Sequence, residues 1–232
     1  MKKFLLAGII LAVGFFAFAG DAAAFNDIGF SKDGKTYIFG QYGKTDRKYQ
    51  PYAEIYTIDV ERNEYVSGQV YKVLENNTIH SGKQVYENLY AKHQEEIKKY
   101  DCSSAKPDDV LYICENEKKK GIDEIIFRNF IGEASGDDGI VYKVHLVPTY
   151  YGRGIDSKSS FYIDLDMVDQ AGGVRAKYKI GSPDIKRKGV VDYKIVQIIR
   201  NKNKTGLIFV VEKTIEDATG TSVRYMVETV KL

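Results

Sequence analysis

The stretch that decides the fold is Phe30-Ser31-Lys32-Asp33-Gly34-Lys35-Thr36-Tyr37-Ile38-Phe39, in which an Asp-Gly turn separates two apolar runs. An Asp-Gly turn between such runs is a strong local signal of a β-hairpin. A second pair of strand-like runs follows at residues 54–60 and 64–66, on either side of Arg62-Asn63. The sequence therefore predicts about four antiparallel strands before residue 67.

The same type of pattern continues through the second half of the chain. Apolar residues alternate with polar ones at 141–147, 160–166 and 174–180, and Gly172-Gly173 supplies a turn before the last of these runs. Alternation with a period of two places every second side chain on the same face of a sheet. Most of the chain is thus expected to form antiparallel sheet.

An offset of 169 residues relates the first hairpin to the end of the chain. It places Lys35-Thr36 on Lys204-Thr205 and Tyr56-Thr57-Ile58-Asp59 on Tyr225-Met226-Val227-Glu228. It also places Gly34 on Asn203, and both residue types tolerate the positive φ of a tight turn. Two interpretations remain open: a true internal repeat, and strand periodicity alone.

One segment has the period of a helix. Ser81-Gly82-Lys83-Gln84 fits a capping box, and Val85, Leu89, His93 and Ile97 recur at every fourth residue. This pattern predicts one amphipathic α-helix at about 82–100. The predicted fold class is mostly β: antiparallel blade-like sheets, packed as a β-sandwich or a partial propeller, with this helix docked on them.

The N-terminus has the composition of a cleavable export signal. Lys2 and Lys3 precede an uncharged run at residues 4–19, which is shorter than the ~20 residues needed to span a bilayer. Cleavage is expected after Ala19, and the small residues before position 25 offer an alternative site after Ala24. We therefore expect a secreted or periplasmic protein with a single β-rich domain at 20–232 and no transmembrane segment after signal removal.

Loss of residues 1–19 removes two lysines and no acidic residue, so the 34 basic and 32 acidic residues of the full chain become equal in number. Nucleic-acid binding requires clustered excess positive charge, so no nucleic-acid partner is predicted. The exported chain keeps both of its cysteines, Cys102 and Cys114. In an oxidising compartment, such a pair is expected to form one disulfide, contributing roughly 3 kcal/mol.

Several residues invite a metal or cofactor interpretation, but each has a simpler one. His93 and Glu96 are spaced as half of a metal site, yet His93 also continues the apolar stripe of the helix, which favours a packed histidine. Asp164, Asp166 and Asp169, and separately Asp137-Asp138-Gly139, offer oxygen ligands for calcium, but turn chemistry explains them better. No nucleotide-binding or nucleophile motif occurs, so no metal, cofactor or catalytic residue is predicted.

The most suggestive recognition motif is Pro148-Thr149-Tyr150-Tyr151-Gly152-Arg153-Gly154. Tyrosine and arginine are favoured at contact sites, and loops on a rigid sheet commonly carry recognition. Tyr150, Tyr151 and Arg153 are therefore the candidate binding residues, in an expected loop between strands. The competing interpretation is a strand whose alternate tyrosine packs inward.

Two resemblances extend this interpretation. The segment from Phe30 to Phe39, followed by Glu54-Ile55-Tyr56-Thr57-Ile58-Asp59, resembles a blade of the periplasmic TolB-type β-propellers. Residues 23–43, the helix and the final Arg224-Tyr225-Met226-Val227-Glu228-Thr229 resemble an uncharacterised bacterial family of predicted secreted proteins. The second resemblance covers nearly the whole exported chain and implies export and a shared fold.

The sequence thus predicts an exported, non-catalytic binding or envelope-interaction module, with an unknown protein or glycan of the cell envelope as its partner. The alternative is a small secreted hydrolase whose carboxylates converge only in three dimensions, which would show as a pocket joining two carboxyl groups of raised pKa. A third hypothesis is a scaffold whose open sheet edge pairs with another chain.

Overall fold

The computed structural model describes residues 21–114, 124–128, 139–218 and 220–232. Within these residues the chain forms one α-helix and fourteen strands, so the mostly-β prediction is confirmed. The elements in chain order are β1 Asp21–Ala22, β2 Ala24–Phe30, β3 Thr36–Lys44, β4 Pro51–Asp59, β5 Glu64–Leu74, α1 Gly82–Lys98, β6 Val110–Ile113, β7 Ile125–Arg128, β8 Val141–Tyr151, β9 Lys158–Val168, β10 Val174–Ile180, β11 Arg187–Lys188, β12 Val190–Arg200, β13 Gly206–Asp217 and β14 Gly220–Lys231.

The strands form three sheets. The first has the strand order β2-β3-β4-β5, the second β1-β14-β13-β12-β6, and the third β10-β9-β8-β7 with β11 paired to β9. All neighbouring strands are antiparallel except β1, which runs parallel to β14. The first sheet joins its strands in sequence order, as a propeller blade does.

The three sheets are layered, with the second sheet in the middle. Along β13, Leu207, Phe209 and Val211 pack against the third sheet, whereas Ile208 and Val210 pack against the first. A strand buried on both faces is expected to be continuously apolar, and 207–211 is such a run. Face-to-face packing of this kind matches the sandwich form of the prediction.

Helix α1 covers the outer face of the first sheet. Ser81 forms the predicted capping box with Gln84, and Val85, Leu89 and Ile97 are buried against that sheet. His93 is half-buried and stacks on the ring of Tyr71 in β5 with the ring centroids 3.7 Å apart, so it is a packed histidine. The helix ends at Lys98, two residues before the predicted end.

The two turns related by the sequence offset do share one geometry, but at an offset of 170 residues. Ser31 N–H bonds to the Thr36 carbonyl and Asn201 N–H to the Gly206 carbonyl, so Ser31 and Asn201 occupy equivalent positions. The positive φ falls on Gly34 (+73°) and Lys204 (+58°). The predicted match of Gly34 with Asn203 is therefore one residue out of register.

The second strands of the two hairpins differ further. Tyr56 pairs with Phe39, and the equivalent Phe209 pairs with Glu228 rather than with Tyr225. The connection between β3 and β4 is longer than that between β13 and β14, so the offset rises to 172 in the second strand. The hairpins are similar as structures, whereas the matching residues reflect strand periodicity.

Cys102 and Cys114 are not joined by a disulfide, so the predicted bridge is wrong. Cys102 precedes Ser103, which pairs with Phe30 at the end of β2. Cys114 follows β6, and its N–H donates to the carbonyl of Val196 at 2.9 Å. Strand β6 advances roughly 3.3 Å per residue between the two cysteines, which carries Cys114 away from Cys102.

Among the residues that the structure describes, no helix is long and apolar enough to cross a membrane.

Candidate binding cleft

A cleft of about 520 Å³ opens at one end of the layered sheets. Three separate segments form its walls: the turn between β2 and β3, the chain that follows α1, and the turn between β12 and β13. Its lining residues are Phe30, Ser31, Lys32, Gly34, Asp101, Cys102, Ser103, Ser104, Ala105, Asp109, Arg200, Asn201, Lys202 and Asn203. The cleft therefore depends on segments that are far apart in sequence.

The two turns are packed directly against each other. Asn201 is buried, and its Oδ1 accepts hydrogen bonds from the N–H groups of Thr205 (2.8 Å) and Gly206 (3.2 Å). Gly34 faces this side chain so closely that an added Cβ would lie 2.4 Å from Asn201 Nδ2. Glycine thus serves both the positive φ of its turn and the contact between the turns.

The third wall is tied to β2. Phe30 and Ser103 exchange both backbone hydrogen bonds, at 3.2 and 2.9 Å. The carboxylate of Asp27 accepts hydrogen bonds from Ala105 N–H and Tyr37 Oη, both at 2.8 Å. Burial raises the pKa of Asp27, while these two hydrogen bonds act in the opposite direction. Asp27 therefore holds residues 103–105 in place beside the cleft.

Arg200, the last residue of β12, is the most unusual side chain of the cleft. It is 4% exposed, and its Nε and Nη1 atoms are buried without a hydrogen-bond partner. Among the described residues it also has no ion-pair partner. An uncompensated buried charge is costly, because the guanidinium loses its hydration and gains no acceptor in return. The fold thus presents an unmatched positive charge at this cleft.

The other charged groups of the cleft are mixed in sign: Lys32 and Lys202 against Asp101 and Asp109. Lys202 Nζ donates to Ser103 Oγ at 2.9 Å, and the Asp109 carboxylate accepts from Lys106 N–H at 3.2 Å. With Arg200 included, three cationic side chains face two carboxylates, so the lining is weakly positive.

Cys102 also lines the cleft, but it is not an activated nucleophile. Burial, and then the negative charges of Asp101, Asp27 and Asp33, raise the pKa of its thiol to about 12. The thiol therefore stays protonated near neutral pH, and the thiolate is the reactive form.

The structure places Tyr150 and Tyr151 outside this cleft, as the last residues of β8 rather than in a loop. They remain in the strand because β8 pairs with β9 as far as Tyr151 and Lys158. The tyrosines are 44% and 45% exposed, and Arg153 lies exposed in the following turn. Lys186 Nζ lies 4.8 Å from the ring centroid of Tyr151, so the three residues form an exposed edge of aromatic and cationic groups.

The acidic run of β9 lies on the outer face of the third sheet, along a shallow groove of about 650 Å³. Asp166 pairs with Lys177 at 2.9 Å, and Asp169 accepts hydrogen bonds from the N–H groups of Ala171 and Gly173. The turn interpretation of Asp169 is therefore confirmed. Within the described ranges, no three metal-binding side chains are grouped together. Asp137 and Asp138 lie outside the described residues.

Three carboxyl groups have a pKa raised mainly by burial, and they occupy three different settings. Asp21 contacts Arg224 and Tyr52, Asp27 holds the segment beside the cleft, and Glu228 accepts a hydrogen bond from Asn63. Each is thus engaged with the fold, and no two of them hydrogen-bond to the same group. The arrangement does not provide the paired carboxyl groups that the hydrolase hypothesis requires.

No residue of the cleft other than Gly34 and the turn residues beside it was suggested by the sequence. Arg200 follows the apolar run of β12 and carries no motif, so its isolation becomes visible only in the folded chain. The single sequence signal near the cleft is the recurrence of the two turns.

The fold and the cleft define a class: a layered, mostly antiparallel β protein with one docked helix and a small cleft where three loops meet. A family model described as "Predicted secreted protein (DUF2259)" matches residues 38–231. The chain belongs to this family, which confirms the predicted membership and the assignment as a secreted protein. No curated protein matches the chain.

Proposed function

We propose that this secreted protein is a non-catalytic binding protein that holds a small ligand in the cleft around Arg200. The observation that carries the proposal is the buried guanidinium without a partner, which lines a cleft large enough for a small molecule. A ligand that supplies an acceptor would relieve the cost of burying this charge.

Binding is favoured over catalysis by the chemistry of the lining. The thiol of Cys102 is held in its protonated form, and the carboxylate of Asp27 is occupied by two hydrogen bonds from the fold. Catalysis needs a nucleophile or base in contact with its activating partner. The cleft instead offers one unmatched charge, which suits recognition.

Native mass spectrometry of the exported protein tests this function. Wild-type protein, isolated without denaturation, is expected to carry a non-covalent small-molecule adduct that Ser104→Trp removes. Ser104 is an exposed lining residue, so the indole ring fills the cleft without entering the core. Circular dichroism confirms that the variant is folded. An adduct that persists in Ser104→Trp, or no adduct on wild-type protein, contradicts the proposal.

The exposed edge of Tyr150, Tyr151 and Arg153 supports a second candidate function, the binding of an acidic glycan of the cell envelope. Aromatic faces stack on sugar rings, and the cations of Arg153 and Lys186 suit acidic substituents. The double change Tyr150→Ala and Arg153→Ala is expected to abolish retention on an immobilised acidic polysaccharide, polygalacturonate, with the melting temperature nearly unchanged.

The stability is expected to hold because both side chains lie at the surface, where substitutions have small effects. The double variant is also the matched control for the cleft, since it should keep the small-molecule adduct. Unaltered retention on polygalacturonate would remove the edge from consideration.

A further inference from the structure

We infer that the ligand of the cleft presents a single oxyanion, a carboxylate or a phosphate group, to Arg200. This inference rests on the proposed binding function and names the chemistry of its ligand. It is carried by the geometry of the guanidinium and by the state of the acidic groups around it.

The acidic groups of the chain near the cleft are already engaged elsewhere. Asp27 accepts hydrogen bonds from Tyr37 and Ala105, and Asp33 accepts them from Ser31 Oγ (2.7 Å) and Lys35 N–H (3.1 Å). Asp109 accepts a hydrogen bond from Lys106 N–H. These carboxylates stabilise turns and segments rather than the charge of Arg200, so the compensating anion has to come from outside the chain.

A guanidinium carries only donors, and its best partners are carboxylate and phosphate oxygens. A neutral ligand would accept hydrogen bonds from it but would leave its charge uncompensated. A cationic ligand would be repelled by it. The charge of Arg200 therefore selects an oxyanion from the small molecules that fit a cleft of about 520 Å³.

The rim of the cleft limits the charge of that ligand. Lys32 and Lys202 add positive charge, while Asp101 and Asp109 add two negative charges among the lining residues. Carboxylates at the rim repel a polyanion but tolerate one anionic group that reaches the guanidinium. Ser104 and Asn203 are exposed in the lining and offer hydrogen bonds to the uncharged part of the ligand.

Thermal unfolding of the ligand-stripped protein with inorganic phosphate or acetate tests the inference, with sodium chloride at equal ionic strength as the control. Wild-type protein is expected to gain melting temperature with one of the two probes, in a concentration-dependent manner. A response to phosphate alone identifies a phosphate ligand, and a response to acetate alone identifies a carboxylate. The affinity is expected to fall at least about tenfold in Arg200→Met. Arg200→Lys keeps the charge and retains part of the response.

The same variant separates a binding role from a structural one. Without any probe, Arg200→Met is expected to raise the melting temperature by about 3 °C, because it removes an uncompensated buried charge and keeps the volume. A lower melting temperature would overturn the inference, since it would show that the fold itself satisfies the guanidinium.

The failures of the two proposals are distinguishable. If a small-molecule adduct is lost in Ser104→Trp but Arg200→Met binds both probes as wild-type protein does, or neither probe raises the melting temperature, the oxyanion inference is overturned and the cleft remains a binding site. If no adduct forms and no probe binds, both fail.

Discussion

Deleting residues 20–24 from the exported chain is expected to cost about 4 kcal/mol of unfolding free energy, because it leaves a buried arginine without its carboxylate. Asp21 is buried and forms an ion pair with Arg224, which lies with its guanidinium 3.9 Å from the ring centroid of Tyr52. Tyr52 Oη also donates to Asp21 at 3.2 Å. The deletion further removes β1, the parallel neighbour of β14. Urea denaturation of chains 20–232 and 25–232 measures the difference.

The control for this deletion is Asp21→Asn in the 20–232 chain, which keeps the β1 pairing and removes only the charge. Its loss of stability is expected to be smaller, and the difference gives the contribution of the strand. Equal stability of the two chain lengths would contradict the buried pair.

The deletion also bears on the maturation of the protein. Signal removal after Ala24 would produce the destabilised 25–232 chain, whereas removal after Ala19 retains Asp21. We therefore propose that the exported protein begins at Gly20, which the intact mass of the secreted form would establish.

Glu228→Ala is expected to destabilise the protein by about 3 kcal/mol, since it removes a buried acceptor shared by the three sheets. Glu228 lies in β14 of the middle sheet and accepts a hydrogen bond from Asn63, in the turn after β4 of the first sheet. Arg187 of β11, on the third sheet, lies 3.6 Å from the same carboxylate. Without the carboxylate, the buried amide of Asn63 and the largely buried guanidinium lose their common partner. Denaturation in urea at pH 7 gives the difference.

Glu228→Gln is the matched control, and its behaviour depends on pH. Burial raises the pKa of Glu228 above its ordinary value, although Asn63 and Arg187 act in the opposite direction. The neutral form is thus favoured in the folded state, and Gln is expected to be at least as stable as Glu at pH 7.

As the pH falls below neutral, the folded wild-type protein takes up this proton before the unfolded chain does. The stability of wild-type protein therefore rises relative to that of Glu228→Gln, and the advantage of glutamine shrinks. A difference between the two proteins that does not change with pH would contradict the raised pKa.

Much of the fold follows from local patterns in the sequence. The capping box at Ser81 and the apolar spacing from Val85 to Ile97 predict the helix because capping and helical periodicity act over a few residues. The Asp-Gly turn at Asp33-Gly34 predicts the first hairpin for the same reason. Family membership also follows from the sequence.

Features that depend on distant residues were predicted less well. The cysteine spacing suggested a disulfide, but the pairing of β6 with β12 separates the two residues. The offset of 169 residues identified similar hairpins yet missed their register, because the number of residues between the paired strands is not encoded in the matching positions. The tyrosines at 150 and 151 were expected in a loop, whereas pairing with β9 extends the strand.

The sequence by itself determined the strands, the helix, their turns and the secreted family, since each of these depends on residue types within a short window. Only the tertiary structure decided which charges are buried and which of them lack partners. Arg200 is an ordinary residue at the end of a strand until two turns and the segment after the helix close around it. Desolvation then makes its charge costly, and that cost arises from the meeting of three segments rather than from any one of them.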